Sequence, residues 1–279
     1  MTRIEERWER LANARAEEVS LAEGALLIAA EEYEGLDIDA YLARIDDMGL
    51  TLKRRLRSDI STTEALIALN RYVFEELGFS GNSDDYYDPR NSYLNDVIER
   101  RLGIPITLSV VYIEIGARVG LNLEGVSFPS HFLVKCTLRN GAVVLDPYAR
   151  GASLGVGDLQ ERLKAVVKDM EPDAALVASL LGAAPRKDIL ARVLRNLRSI
   201  HESKSEPLKA LSASNRIIAL APGAADDYRD RGELYAGLEC FRAAIDDFRH
   251  YLQLKPQALD TGRVAQRIAE LEPLAARLN

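Results

Sequence analysis

The pattern of apolar and polar positions predicts a chain that is helical at both ends and mixed helix and strand in the middle. Between residues 3 and about 57, apolar residues recur at helical spacing in two stretches that Gly35 separates. A third helix is predicted to start at Ser61-Thr62-Thr63-Glu64, because a hydroxyl followed three residues later by a carboxylate forms a capping box. Together these segments predict an N-terminal helical region over residues 1–77.

The most apolar stretch lies at the centre and predicts one buried helix followed by a sheet. Residues 104–119 are apolar on most sides, and Pro105 falls in the first turn, where a helix tolerates proline. The next segment alternates between apolar and polar residues and predicts two or three strands, with Asn140-Gly141 as a hairpin turn. Residues 78–170 are therefore expected to form a helix packed on an antiparallel sheet, which gives an α+β fold class.

A loop rich in turn-forming residues, residues 78–92, comes before this central helix. It contains three aspartates, Asp84, Asp85 and Asp88. Their spacing matches no calcium-binding loop, so we expect solvated acids rather than a cation site. A helix over Tyr93–Leu102 is predicted to follow, capped by Asn91 or Ser92 and ended by Gly103.

From about residue 188 onward the chain is helical and carries a repeat. Pro222 and Pro256 are 34 residues apart and end two similar sequence motifs, IIALAP and YLQLKP. The residues between them match the tetratricopeptide pattern at Tyr228, Gly232, Tyr235, Ala244 and Phe248. An upstream unit departs from the pattern, with Arg198 at the glycine position and Ser214 at the phenylalanine position. We therefore predict one domain over residues 1–185 and a helical repeat domain over residues 186–279.

Composition narrows the class of protein. The net charge of −7 and pI of about 5.2 argue against nucleic acid or an anionic membrane as the main partner, since both require a basic face. No apolar run reaches the ~20 residues of a membrane span, and the N-terminus is too charged for a signal peptide. Two distant cysteines predict neither a disulfide framework nor a metal cluster. A cytoplasmic protein of bacterial type without metal or cofactor is expected.

One histidine stands out as a candidate for chemistry. His131 follows Pro129-Ser130 at the start of a predicted strand, and Asp146 ends the partner strand across the hairpin. A carboxylate beside an imidazole fixes its tautomer and raises its basicity, although the same pair also serves as a structural clasp. Strand alternation places Cys136 on the opposite face from His131, so we predict a core thiol there.

The other cysteine and histidines are assigned no chemistry. Cys240 is predicted to be a packing residue at the turn between two repeat helices, and His201 and His250 lie in polar helical contexts.

The central block resembles a known family. The stretch NSYLNDVIERRLGIPITLSVVYIEIGARVGLNLEGVSFPSHFLVK is similar to the SirB-one family, and GIP…RVGLNLEGV…SHFLV…VVLDP resembles the transglutaminase-like core. The resemblance covers nearly the whole chain. It implies an N-terminal helical segment, a papain- and transglutaminase-like helix-on-sheet core and C-terminal tetratricopeptide repeats.

The resemblance also implies which residues occupy the catalytic positions. When the helix-ending Gly120 is aligned with the glycine of the family, Pro105 stands where the catalytic cysteine would be. His131 and Asp146 fall on the histidine and aspartate positions. Proline carries no nucleophile, so conventional thiol chemistry is not expected.

Nearby side chains leave the role of the cleft open. Thr107 and Ser109 are either nucleophiles activated by His131 or polar residues bonded to backbone carbonyls. Asn91 and Asn95, together with Glu99 and Arg100, belong to the family block and are expected to order the loop over the cleft.

Two functions follow from these expectations. The first is a non-catalytic scaffold that binds a protein or peptide through its repeats, because helical repeats present extended binding surfaces. The second is a hydrolase or acyl-transfer enzyme of altered mechanism that uses His131 and Asp146 with Ser109, Thr107 or a water. A homodimer is considered because short repeat arrays leave an end that pairs with another copy.

Overall fold

The structure is a computed structural model that describes residues 2–138, 141–167 and 171–277. The chain divides into two compact units, Met1–Ile189 (the first unit) and Leu190–Asn279 (the second unit). The domain boundary expected at residues 185 and 186 stays a prediction.

The N-terminal part of the first unit is helical, as its apolar spacing predicted. Its helices are α1 (Arg3–Asn13), α2 (Leu21–Ala29), α3 (Ile38–Arg55) and α4 (Thr62–Asn70). Gly35 has a φ of 77° between α2 and α3, a left-handed conformation that favours glycine. The capping box at α4 is confirmed, because Ser61 Oγ accepts from Glu64 N at 3.2 Å and Ser61 N donates to Glu64 Oε2 at 3.0 Å. A π-helical segment, Arg71–Glu76, follows α4 directly.

The remaining elements of the first unit form the helix-on-sheet core. The helices are α5 (Leu94–Arg100), α6 (Pro105–Val119), α7 (Val156–Lys164), α8 (Ala174–Ser179) and the start of α9 (Arg186–Ser203). The strands are β1 (Ser80–Gly81), β2 (Leu102–Gly103), β3 (Leu123–Val126), β4 (Leu133–Leu138), β5 (Gly141–Asp146) and β6 (Ala152–Leu154).

Helix α6 is the centre of this core, as its uniformly apolar sequence predicted. It begins at Pro105 and is buried continuously from that residue through Ile113. Gly120 ends the helix with a φ of 97°. Gly116 lets the sheet approach closely, since a Cβ placed there would lie 2.4 Å from a methyl carbon of Leu123.

The predicted sheet is antiparallel and has four strands in the order β3-β4-β5-β6. Strands β4 and β5 pair with Cys136 opposite Val143 and with Leu138 opposite Gly141. The hairpin expected at Asn140-Gly141 falls partly outside the described residues, because Arg139 and Asn140 belong to the gap. The sequence did not predict β6, which is short and mostly exposed.

The helix predicted over Tyr93–Leu102 has different ends. It stops at Arg100, and the left-handed residue after it is Arg101, with a φ of 60°, rather than Gly103. Strand β2 then pairs in parallel with β1, where Ser80 N donates to Arg101 O and Asn82 N donates to Gly103 O. The predicted caps are wrong too, because the N-cap is Tyr93 and makes no side-chain cap hydrogen bond. The two short strands satisfy backbone groups that the helix would otherwise use.

The second unit contains the rest of α9 and the helices α10 (Pro207–Leu220), α11 (Ala225–Gly237), α12 (Phe241–Leu254) and α13 (Thr261–Arg277). The close approach predicted at Gly232 is confirmed, since a Cβ there would lie 2.7 Å from the ring of Phe248. Cys240 is exposed at the N-cap of α12, so its prediction as a packing residue is wrong. Within the described ranges, every helix is too short or too polar to cross a membrane.

Candidate functional site

His131 and Asp146 meet at one end of the β4–β5 hairpin. His131 lies in the turn before β4, where its backbone N donates to Phe128 O at 3.1 Å, and Asp146 is the last residue of β5. The imidazole Nε2 lies 2.9 Å from Asp146 Oδ1. The hydrogen bond expected between them is therefore present.

The Asp146 carboxylate is surrounded by donors. It is 1% exposed, and its Oδ1 accepts from the backbone N of Tyr148 at 3.0 Å and of Ala149 at 3.2 Å. Arg162 Nη2 on α7 donates to Oδ2 at 2.7 Å. Burial raises the carboxyl pKa, but the hydrogen bond and charge of His131, followed by those of Arg162, outweigh it and hold the pKa below its usual value.

This carboxylate fixes the histidine tautomer. An ionised carboxylate only accepts hydrogen bonds, so Nε2 of His131 donates to Asp146 Oδ1, and the neutral form of the imidazole therefore carries its proton on Nε2. The arrangement suits an imidazole that takes a proton at Nδ1. Arg162 was not predicted, because nothing in the spacing of α7 relates it to Asp146.

The first turn of α6 contains the position where the family resemblance places a catalytic cysteine. Pro105 is buried at the first residue of the helix. Thr107 Oγ1 donates to Asn91 O at 2.7 Å and accepts from Ile104 N at 3.1 Å. Ser109 Oγ donates to Pro105 O at 2.7 Å. Both hydroxyls belong to residues with 0% exposure, so their protons are already held by backbone carbonyls.

The buried Asn91 side chain orders the loop before α5 through hydrogen bonds. Its Nδ2 donates to Asp85 O at 2.7 Å and to Tyr86 O at 3.2 Å, and its Oδ1 accepts from Asn82 Nδ2 at 3.0 Å. Asn95 is 5% exposed, so it lies inside the protein instead of lining an open cleft. Its Oδ1 has no hydrogen-bond partner within the described chain.

Tyr148 joins this loop to the histidine. Its hydroxyl lies 3.3 Å from Asn82 O, and its ring meets the His131 ring edge to face at 6.2 Å. Gly81 makes room for it, because a Cβ there would lie 2.4 Å from the Tyr148 ring. Neither Tyr148 nor Asn82 was singled out in the sequence, since both depend on the pairing of β1 with β2.

Comparisons with known proteins show which families this chain resembles. The profile of the transglutaminase-like superfamily matches residues 39–195, and a tetratricopeptide repeat profile matches residues 197–269. A UPF0162 protein of Xylella fastidiosa is 40% identical over 95% of this chain and 94% of its own length. A UPF0162 protein of Pseudomonas aeruginosa is 34% identical over 92% of this chain and 93% of its own length.

The chain belongs to the UPF0162 family of transglutaminase-like proteins. The predicted transglutaminase-like core followed by tetratricopeptide repeats is thereby confirmed, as is the α+β fold class. The F-box only protein 21 of Mus musculus is also similar, with 33% identity over 50% of this chain and 22% of its own length.

In this transglutaminase-like chain, Cys136 is a core residue. It is 0% exposed in the middle of β4, and burial raises the pKa of its thiol. A raised pKa disfavours the thiolate, which is the nucleophilic form.

The loop aspartates divide into two kinds. Asp84 and Asp85 are exposed, as predicted. Asp88 is 7% exposed and its carboxylate bonds to Arg90 Nε at 2.9 Å and lies 3.3 Å from Arg100 Nη2, so the prediction of a solvated acid is wrong there. The arginines neutralise it inside the loop. In the part of the chain that the structure describes, no group of three or more His, Cys, Asp or Glu side chains is placed to hold a metal ion.

Proposed function

We propose that this chain is a protein-interaction scaffold built on a transglutaminase-like core that forms no acyl-enzyme. The observation that carries the proposal is Pro105 at the first position of α6. An acyl-enzyme requires an ionisable or activatable atom at that position, and proline offers none.

The other candidate nucleophiles do not replace it. Thr107 is tied between Asn91 O and Ile104 N, and Ser109 donates to a carbonyl of its own helix. The thiol of Cys136 is buried with a raised pKa. Each would need to break an existing contact before it could attack a substrate.

The repeats supply the interaction part of the proposal. Tetratricopeptide repeats generally mediate protein–protein interaction, and here the first helix of each pair is linked to the next by ion pairs. Arg195 pairs with Asp227 at 2.6 Å, Arg229 with Asp260 at 3.0 Å, and Arg267 with Glu233 at 3.4 Å. These ion pairs hold successive helices together, and stacked repeats of this kind present an extended surface to a partner. A cytoplasmic location is part of the proposal, since both cysteines are free thiols, as in a reducing compartment.

The test compares two matched charge reversals in the full-length chain. Arg267→Glu alters the ion-paired surface of the second unit, and Arg71→Glu alters an exposed arginine of the first unit. Proteins cross-linked to each variant in the source cells are quantified by mass spectrometry. We expect a partner that the Arg267→Glu variant loses and the Arg71→Glu variant retains, and identical partner sets for both would contradict the proposal.

A second function, hydrolysis with His131 as general base on a water, is favoured by the 2.9 Å contact between His131 and an ionised Asp146. A scaffold has no need of this pair, whereas a general base uses it. A screen of amide and ester substrates with the wild type and the His131→Ala variant tests it. Hydrolysis that survives the substitution would reject this site.

A further inference from the structure

Two exposed tyrosines stand side by side on the loop before α5. Tyr86 is 40% exposed and Tyr87 is 73% exposed. Among the large apolar side chains that are exposed in the described ranges, these are the only aromatic ones. Aromatic side chains are enriched at protein interfaces because they supply a large contact area with few rotatable bonds. Their exposure leaves both side chains accessible to another molecule.

The loop that carries them is fixed before any partner arrives. Asn91 Nδ2 holds the carbonyls of Asp85 and Tyr86, and Asn82 Oδ1 accepts from the backbone N of Asp85 at 3.2 Å. Both asparagines are buried, at 8% and 0% exposure for Asn82 and Asn91. A surface held in one conformation loses little entropy on binding, which favours affinity.

A row of rings leads from this loop to the histidine. The centroids are 5.3 Å apart for Tyr87 and Tyr86, 6.1 Å for Tyr86 and Tyr148, and 6.2 Å for Tyr148 and His131. Every pair meets edge to face. Alternate side chains of an extended peptide lie ~6.8 Å apart, somewhat farther than neighbouring rings, so an extended segment lying along the rings contacts them with successive side chains of one face.

The charge of the side chains beside the rings determines which charge a partner must carry. Asp84 and Asp85 are exposed, and neither carboxylate forms an ion pair within the described part of the chain. Asp88 is already neutralised by Arg90 and Arg100. A Lys or Arg side chain gains here from two carboxylates and from the faces of the tyrosines.

We propose that this surface, formed by Asp84, Asp85, Tyr86, Tyr87 and Tyr148, binds an extended peptide segment with lysine or arginine at alternate positions. The segment runs along the rings toward His131. Nucleic acid and anionic membranes carry the wrong charge for it. Because all five residues belong to the first unit, this binding is separate from the partner proposed for the repeats.

Fluorescence anisotropy with the full-length chain tests the proposal. The probe is a labelled peptide of alternating lysine and serine, with a glutamate–serine peptide as its counterpart. We expect the lysine peptide to bind and the glutamate peptide to fail. Tyr87→Ala should weaken binding about tenfold, whereas Tyr87→Phe, which keeps the ring, should stay within about twofold of the wild type. Retention of full affinity by Tyr87→Ala would overturn the proposal.

The charge contribution has its own control. The double variant Asp84→Asn/Asp85→Asn should lose about tenfold in affinity at low ionic strength and show a flatter salt dependence. Glu34→Gln/Asp47→Asn removes two exposed acids elsewhere in the first unit and should stay within about twofold of the wild type. Equal losses in both double variants would overturn a local site, because they would show only general attraction.

Two further measurements distinguish a peptide site from a general polycation site and from the repeat surface. Displacement of the peptide by spermine at equal affinity would overturn the assignment to a peptide in favour of any small polycation. The Arg267→Glu variant should bind the lysine peptide as the wild type does, so failure of this surface and failure of the repeat surface are distinguishable. Thermal melting by circular dichroism checks that each variant is folded.

Discussion

At the scale of single residues, the site is defined by where each proton is held. Asp146 holds the Nε2 proton of His131, while Thr107 and Ser109 donate theirs to the backbone. The polar side chains at the start of α6 thus stabilise structure. These contacts lead to two predictions.

The first concerns the two hydroxyls. Thr107→Val leaves the Ile104 N–H and the Asn91 carbonyl without their partner in a buried place, so we expect it to lower the free energy of unfolding by about 1–3 kcal/mol. Ser109→Ala removes only a second donor to a helix carbonyl and should cost less than about 1 kcal/mol. Urea denaturation of the two variants measures the difference, and equal losses would contradict the roles assigned here.

The second prediction is a pH dependence at Asp146. Its folded-state pKa is depressed below the unfolded value of about 3.9, so its stabilisation is fully present above that pH and is lost as pH falls through the folded pKa. Asp146→Asn should therefore reduce stability near neutral pH by roughly 2 kcal/mol and narrow the gap to the wild type in acid. Thermal melts across pH 2–7 test this, and a gap that stays constant over that range would contradict it.

At the scale of elements, the two repeats place their large residue on different helices of the pair. One repeat has it on the second helix and the other has it on the first. In the repeat formed by α11 and α12, Gly232 lies against the ring of Phe248. At the equivalent positions of α9 and α10 stand Arg198, 8% exposed, and Ser214, 0% exposed. Arg198 also bonds to Asp227 at 3.0 Å, so the departure from the repeat pattern adds an ion pair to the unit.

The double variant Arg198→Gly/Ser214→Phe restores the repeat pattern and tests this exchange. Arg198→Gly alone should lower the free energy of unfolding by about 2–4 kcal/mol, because it removes ion pairs and leaves a cavity. Ser214→Phe alone should lower it by about 1–3 kcal/mol through overpacking. If the two positions share one volume, the double variant is more stable than the sum of the single effects by at least about 1 kcal/mol. Additive losses in chemical denaturation would reject the exchange.

Elements with a strong local signal were predicted well from the sequence. The periodicity of α6, the caps at Ser61 and Gly120, and the 34-residue spacing of the repeat are local features, and all of them are confirmed. The end of α5 was wrong because the pairing of β1 with β2, two segments distant in sequence, competes with the helix. A propensity-based interpretation does not include that pairing.

Much of the candidate site depends on contacts of the same long-range kind. The approach of His131 to Asp146 was predicted because His131 stands just before one strand and Asp146 ends its hairpin partner. Arg162 and Asn82 were missed because α7 and the β1–β2 pair bring them there from distant segments. Tyr148 is close to Asp146 in sequence, but its contact with Asn82 depends on the same pairing. The buried position of Asp88 depends in the same way on Arg100, which lies on the next helix.

At the scale of the whole molecule, the chain combines a transglutaminase-like core with a helical repeat region, and a net charge of −7 suits neither nucleic acid nor anionic lipid as a partner. Such a combination is consistent with a protein that binds polypeptides. The homodimer considered from the repeat array stays a prediction that light scattering of the purified chain can test.

As proposed above, this transglutaminase-like core forms no acyl-enzyme. Intact-mass spectrometry of the full-length chain after incubation with an activated ester tests it most directly, with peptide mapping of any adduct and the His131→Ala variant as control. We expect an unchanged mass at Thr107, Ser109 and Cys136 in both proteins. An adduct on any of these residues that disappears in the His131→Ala variant would contradict the claim and establish a surviving nucleophile.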